Sequence, residues 1–231
     1  MAAQNPERVL PPLLLALTVV TGLVDALCYL SLGHVFTANM TGNVIFLGFA
    51  LASAPDLSVA RSGAALAAFA AGALVGGRMV SSVEGRPRLR WASEAFAIEA
   101  LMLLSGAAVA AAGTKDLLTD PTRLYALIVL TGFAMGIRNA VVRKLAERDL
   151  TTTVLTMTIT GLAADSSLAR GSNPGWARRA CSLVLMFGGA AAGAWLVRRS
   201  LAVPLVCAGL TSTLCAALAH ASALKAKAAL G

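Results

Sequence analysis

Long apolar runs alternate with short clusters of charged residues along the whole chain. Six runs are long enough to cross the hydrocarbon core of a bilayer as helices, at about 1.5 Å per residue. They cover residues 13–32, 62–80, 91–112, 124–142, 180–197 and 201–219. The pattern predicts an all-α integral membrane protein of six transmembrane helices, forming a single membrane domain over residues 1–231.

Two further apolar pieces, residues 42–52 and 151–164, are too short to cross comfortably. The first follows the polar heptad TANMTGN, and the second begins with the threonine-rich TTTVLTMTIT. Irregular backbone at membrane depth is tolerated where it is buried in protein or lines a wet cavity. We therefore expect two short broken or re-entrant segments; full spans, surface helices and, for the heptad, an ordinary loop at the outer surface remain alternatives.

Composition agrees with a membrane protein, because 58% of the residues are hydrophobic and 13% are charged. The net charge of +8 is spread over several loops rather than one amphipathic face. It therefore indicates topology in a lipid bilayer and no nucleic-acid partner. With the N-terminus inside, fourteen of the nineteen Lys and Arg lie on the inner side. This favours cytoplasmic N- and C-termini.

An internal repeat accounts for the order of the spans. Shifting the chain by 110 residues aligns VVTGLVDAL (19–27) with VLTGFAMGI (129–137). A unit of three spans that occurs twice must enter the membrane from opposite sides. The sequence therefore predicts two inverted three-helix repeats, residues 11–112 and 123–220, each with one of the short broken segments.

Each repeat also carries a G-x-x-x-G pair in its second span. A shift of 117 residues aligns Gly72 and Gly76 with Gly189 and Gly193. Small residues at this spacing let helices approach closely. We expect these glycines to pack the two repeats together, or two protomers as a homodimer, and to carry no chemistry.

Asp25 is the most informative polar residue, because an ionised carboxylate inside a span is costly. Thr18, Thr21, Cys28 and Tyr29 follow the same face at helical spacing. Such a face suits a proton-binding or ion-binding site. The alternative is a static hydrogen bond or ion pair that fixes helix packing.

Three other polar groups fall inside spans: Glu99 in the third, and Arg138 with Asn139 in the inner part of the fourth. Arg138 could pair with Asp25 across the repeat, Glu99 could take that role instead, or Arg138 could anchor the inner interface. The candidate substrate or ion pathway comprises Asp25, Tyr29, Asn39, Thr41, Asn43, Glu99, Arg138, Asn139, Thr151 and Thr153.

Other chemistry finds little support. The chain has no G-x-S-x-G, H-E-x-x-H or Walker motif, and its two histidines are far apart. The four cysteines lie in apolar segments without C-x-x-C spacing, so neither a disulfide framework nor a zinc site is indicated. We expect no enzyme activity, no metal and no cofactor.

The stretch GLVDALCYLSLGHVFTANMTGNVIFLG, residues 22–48, resembles the signature of the YoaK family. The specific core of the resemblance is VDA, the segment 33–36 and NMTGN. It implies a small bacterial inner-membrane protein of six spans, and it supplies no substrate.

Together these features predict a small secondary transporter or permease with a polar midplane site, proton-coupled through Asp25, for an unknown small solute or ion. The competing hypothesis is a non-transporting membrane scaffold or sensor that binds a lipid or a partner helix.

Overall fold

The computed structural model describes residues 9–81, 87–113, 116–145 and 155–228. Within these ranges the regular structure is helical, and a single 3₁₀ turn, Ser167–Ala169, lies between the sixth and seventh helices. The α-helices are α1 Leu10–Ser31, α2 Met40–Leu51, α3 Val59–Ser81, α4 Arg88–Ala111, α5 Pro121–Leu145, α6 Leu155–Ala164, α7 Trp176–Val197 and α8 Ala202–Ala228.

Six of these helices, all except α2 and α6, are long and apolar enough to span a membrane. This confirms the prediction of six transmembrane helices. The helix starts follow local chemistry: α1 has prolines in its first turn, where the missing N–H has no helical partner to lose. The largest difference from prediction is at the end of α8, which continues past residue 219 to Ala228.

The two short helices lie where the sequence predicted short segments. With 12 and 10 residues, α2 and α6 reach about 18 and 15 Å, well short of a bilayer core of about 30 Å. Helix α2 packs on α3, and α6 packs on α7. The exposed face of α2 is apolar and includes Ile45, Phe49 and Leu51.

The centre of the bundle is formed by α1, α4, α5 and α8. Helix α4 packs against α5 and α8, and α8 packs against α1. The remaining spans are peripheral: α3 lies along α5, and α7 lies along α1. Most of α1 and α5 is buried, whereas most of α3 and α7 faces outward. Polar side chains on α1, α4, α5 and α8 can therefore meet away from lipid.

Glycines set the close approach of α3 to α5. A Cβ at Gly72 would overlap the backbone of Phe133, and one at Gly76 would overlap that of Ile137. The residue numbers of the contacting pairs increase together along α3 and α5, so the two helices run parallel. From the α5 side, Gly136 lies against the backbone of Phe69.

The same arrangement joins α7 to α1. Gly189 lies against the backbone of Val19, and Gly193 lies against that of Leu23. Gly22 completes the contact from the α1 side and meets the backbone of α7. The G-x-x-x-G glycines thus pack helices of this chain together, and the sequence pattern missed the opposing Gly22 and Gly136.

Candidate functional site

A buried ion pair lies at the centre of the helix bundle. Arg138 on α5 and Glu99 on α4 both have side chains completely excluded from solvent, with Nη1 of Arg138 donating to Oε1 of Glu99 at 2.9 Å. Glu99 is near the midpoint of α4. Because a buried charge is costly unless paired and hydrogen-bonded, this pair must form as a unit.

Helix α1 provides the other partners of the guanidinium. Nη1 of Arg138 also donates to the carbonyl oxygen of Leu17 at 3.2 Å, and Nη2 donates to Oγ1 of Thr21 at 2.6 Å. The Thr21 hydroxyl in turn donates to the carbonyl of Leu17 at 3.0 Å. One arginine therefore connects α1, α4 and α5 at mid-helix.

This geometry decides between the alternatives for Arg138. The hypothesis that Arg138 anchors the chain at the inner membrane interface is wrong. Its side chain is 0% exposed, and its guanidinium contacts Glu99 at the midpoint of α4. Its carboxylate partner is Glu99, whereas Asp25 influences it only through charge, without an ion-pair contact. Sequence spacing could not choose between the two carboxylates.

Nε of Arg138 has no hydrogen-bond partner among the described residues, whereas the Glu99 carboxylate and the Ser212 hydroxyl interact without Oε2 or Oγ reaching regular hydrogen-bond geometry. Ser212 lies on α8, fully buried beside the Glu99 carboxylate. Its neighbours Thr211 and Thr213 donate to carbonyls one turn back in α8, at 2.8 Å each. The centre therefore keeps an unused donor, Nε of Arg138, and a weakly engaged carboxylate oxygen in the protein interior.

Ser212 was missed in the sequence. The signal was present, since TST interrupts an otherwise apolar span at residues 211–213. Three consecutive hydroxyls in a helix point in different directions, so the triplet alone does not say which one faces the core.

Asp25 organises the irregular segment between α1 and α2. Its Oδ1 accepts the backbone N–H groups of Thr37 at 3.0 Å and Ala38 at 2.9 Å. The Thr37 hydroxyl lies 3.3 Å from Sγ of Cys28, which extends the contact along α1. The carboxylate is only 6% exposed, so these bonds replace water for both partners.

Asn43 hydrogen-bonds the backbone of the same segment at Phe36, the residue before Thr37. Its Oδ1 accepts the N–H of Phe36 at 2.9 Å, and its Nδ2 donates to the carbonyl of Phe36 at 2.5 Å. Together with Asp25, it satisfies three successive backbone N–H groups. This explains why polar residues interrupt an apolar stretch: they satisfy non-helical backbone that lies buried in the protein.

The other candidates in the first half of the chain lie apart from the ion pair. Tyr29 is half-buried, stacked on Phe36 with ring centroids 5.2 Å apart. Asn39 and Thr41 are exposed at the start of α2. None of these three side chains is among the recorded partners of Glu99 or Arg138.

In the second half of the chain, Asn139 is half-buried and donates to the carbonyl of Met135 at 2.8 Å. It follows Arg138 on α5 but is not one of the groups that bind the guanidinium. Thr151 and Thr153 lie outside the described residues.

The fold and this polar core define a multi-pass α-helical membrane protein. The chain belongs to the family described as "Protein of unknown function (DUF1275)", whose model matches residues 13–218. It is 36% identical over 155 residues to the "UPF0700 transmembrane protein YoaK" of Bacillus subtilis (strain 168). That alignment covers 67% of this chain and 66% of the relative. No solved structure matches significantly. The resemblance noted at residues 22–48 is confirmed.

Proposed function

We propose that the protein is a small secondary transporter, rather than an enzyme, with its central site at the Arg138–Glu99 pair. The observation that carries the proposal is a buried ion pair at mid-helix between four spans, with an unused donor on Arg138 and a weakly engaged carboxylate oxygen beside Ser212. Ionisable groups inside a membrane protein commonly mark pathways for ions or solutes. A small solute or ion is the natural partner of such a centre.

The proposed architecture is a pair of inverted repeats, residues 11–112 and 123–220. In its support, the packing of α3 on α5 has a counterpart in the packing of α7 on α1. Helix α4 touches α5 as α8 touches α1. Exchanging the two halves of the chain therefore leaves the list of packed helix pairs unchanged, as a twofold axis in the membrane plane requires.

The glycine contacts give a register for this repeat. Gly22 contacts Met186 and Ala190, and Gly136 contacts Phe69 and Ala73. Phe69 and Ala73 lie 117 positions before Met186 and Ala190. Gly22 then corresponds to Gly136, a shift of 114 residues. This differs by about one helical turn from the shift of 110 inferred from sequence. In the new register Asp25 corresponds to Asn139.

Charge balance supports coupling to a proton or another monovalent cation. Among the described residues, the buried acidic and basic side chains of this region are two carboxylates, Asp25 and Glu99, and one guanidinium, Arg138. With all three charged, the core carries one excess negative charge, which one cation would neutralise. A proton on Asp25 would also weaken its hold on the N–H groups of residues 37 and 38, which links cation binding to movement of that segment.

We place the protein in the bacterial inner membrane with both termini cytoplasmic. The support is the excess of Lys and Arg at the ends of α3, α5 and α8, which lie on one side if the chain crosses six times. The opposite ends of the spans carry few basic residues.

The competing scaffold hypothesis has less support. It needs a G-x-x-x-G face for a partner helix, but Gly72 and Gly76 are covered by α5, and Gly189 and Gly193 by α1. A partner helix would have to displace one of the chain's own spans.

Efflux from proteoliposomes tests the transport proposal without a known substrate. Vesicles would be loaded with an isotope-labelled extract of bacterial small molecules and diluted, and the retained solutes identified by mass spectrometry. We expect at least one solute to leave faster with the wild-type protein than with Glu99→Gln/Arg138→Gln or with empty vesicles. Equal retention of every solute in all three preparations would overturn the proposal.

A further inference from the structure

A second candidate site lies at one end of the helix bundle, where α4 begins and α8 ends. Unlike the central ion pair, it is largely apolar and lies near the ends of the spans. A crevice of about 290 Å³ opens there, near the lower end of the size range of small-ligand sites. It is lined by Pro87, Arg90, His220, Ala223, Leu224 and Lys227. The central ion pair contributes nothing to it.

The lining combines two chemistries. Arg90 and Lys227 bring positive charge from two different helices, and His220 adds a ring nitrogen that can donate a hydrogen bond. Between them the wall is aliphatic, and Leu224 is 57% exposed. Cationic groups around an apolar wall at the end of two membrane spans match a ligand with an anionic head and a hydrocarbon tail.

An acidic side chain lies against Arg90. Glu94 lies 3.7 Å from Nε of Arg90, with both side chains about half exposed. An ion pair that is this exposed contributes little energy, so it does not prevent Arg90 from meeting a phosphate. Charge at the crevice stays positive.

We infer that this crevice holds an anionic phospholipid, with an acyl chain along its aliphatic wall at Leu224 and the phosphate bound by the cationic ends of Arg90 and Lys227. Basic crevices between spans on the cytoplasmic side are suited to lipids of this kind. Since each Lys or Arg near an anionic surface contributes about 1 kcal/mol, a five- to sixfold gain in binding, the two together give about thirtyfold.

The chain offers a matched control for this inference. Arg88 and Lys225 lie at the same helix ends, two residues from Arg90 and Lys227, but do not line the crevice. Arg90→Gln/Lys227→Gln and Arg88→Gln/Lys225→Gln therefore remove the same charge from the same end of the molecule. Only the first pair removes it from the crevice.

The experiment is native mass spectrometry of the full chain titrated with phosphatidylglycerol or phosphatidylcholine. We expect the wild-type protein to retain phosphatidylglycerol preferentially, the crevice variant to lose about thirtyfold in affinity, and the control variant to lose less than about fivefold. An equal loss in both variants would reduce the effect to general surface charge and overturn the inference.

Soluble glycerophosphoglycerol, which has the headgroup but no acyl chains, provides the other arm. We expect it to compete poorly with the lipid, because it cannot use the wall at Leu224. Competition at the same concentration as the lipid would identify the occupant as a soluble phosphate compound, and the lipid assignment would fall. Neither arm depends on transport.

Discussion

Replacing Glu99 by glutamine isolates the energy of the central ion pair, because the change keeps the shape and removes the charge. The guanidinium of Arg138 would remain buried without a counter-charge, at a cost of about 3–5 kcal/mol. Arg138→Gln removes the cation and two further hydrogen bonds, to Leu17 and Thr21, at a similar cost. The double variant leaves no charge at either position, so we expect its free energy of unfolding to fall by only about 3–4 kcal/mol.

The assay is a double-mutant cycle on the free energy of unfolding in detergent micelles, followed by circular dichroism. The two single losses, each about 4 kcal/mol, together exceed the loss of the double variant by about 4–5 kcal/mol, which is the coupling energy expected between the two positions. Arg90→Gln and Glu94→Gln form the control cycle, because that pair is half exposed; its coupling should stay below about 1 kcal/mol. Additive effects at Glu99 and Arg138, within about 0.5 kcal/mol, would refute the reasoning.

Three further predictions concern the segment before α2 and the helix contacts. Asp25→Ala should destabilise the fold by about 2–4 kcal/mol in the same unfolding assay, because two buried N–H groups lose their acceptor. Asp25→Asn should be less destabilising, since an amide oxygen remains to accept from them. Equal losses of stability in the two variants would contradict this. Asn43→Asp should be destabilising by about 2 kcal/mol or more, because a carboxylate oxygen would face the carbonyl of Phe36, and a neutral effect on thermal stability would count against that hydrogen-bond pair. Gly189→Ala should lower stability, because the added Cβ would overlap α1. At the adjacent Gly188 a Cβ would contact no other atom, so Gly188→Ala should raise stability by up to about 1 kcal/mol. A change of stability in the same direction at both sites would show that the packing of α7 on α1 is wrong.

The spans were predictable because hydrophobicity of sufficient length is a one-dimensional signal. Even the short segments fell at the expected places, since 42–52 and 151–164 are apolar but short. Helix ends were less well predicted. The last turns of α8 contain Lys225 and Lys227, which read as loop in sequence but continue the helix.

The central site was predicted in its members but not in its pairing. Glu99 and Arg138 are identifiable as charges inside spans, yet their contact depends on the rotation of α4 and α5, which hydrophobicity does not encode. For Asp25 the sequence left open a proton or ion site and a static hydrogen bond or ion pair, and its partners in the structure are backbone N–H groups that have no sequence signature. In the proposed repeat, the register from sequence differs by a turn from the one that the glycine contacts give, because Thr-Gly occurs at both 21–22 and 131–132, while the glycine that makes the helix contact is Gly136.

Access of water to the central pair tests the transport account most directly. Ser212→Cys would be placed in a background without Cys28, Cys181, Cys207 and Cys215, and exposed to a membrane-impermeant thiol reagent in intact and inverted vesicles. The control is Ala65→Cys, equally buried but between α3 and α5. We predict that Ser212→Cys reacts from at least one side and that Ala65→Cys does not react. Protection of both positions from both sides would mean a dry core and would contradict the account.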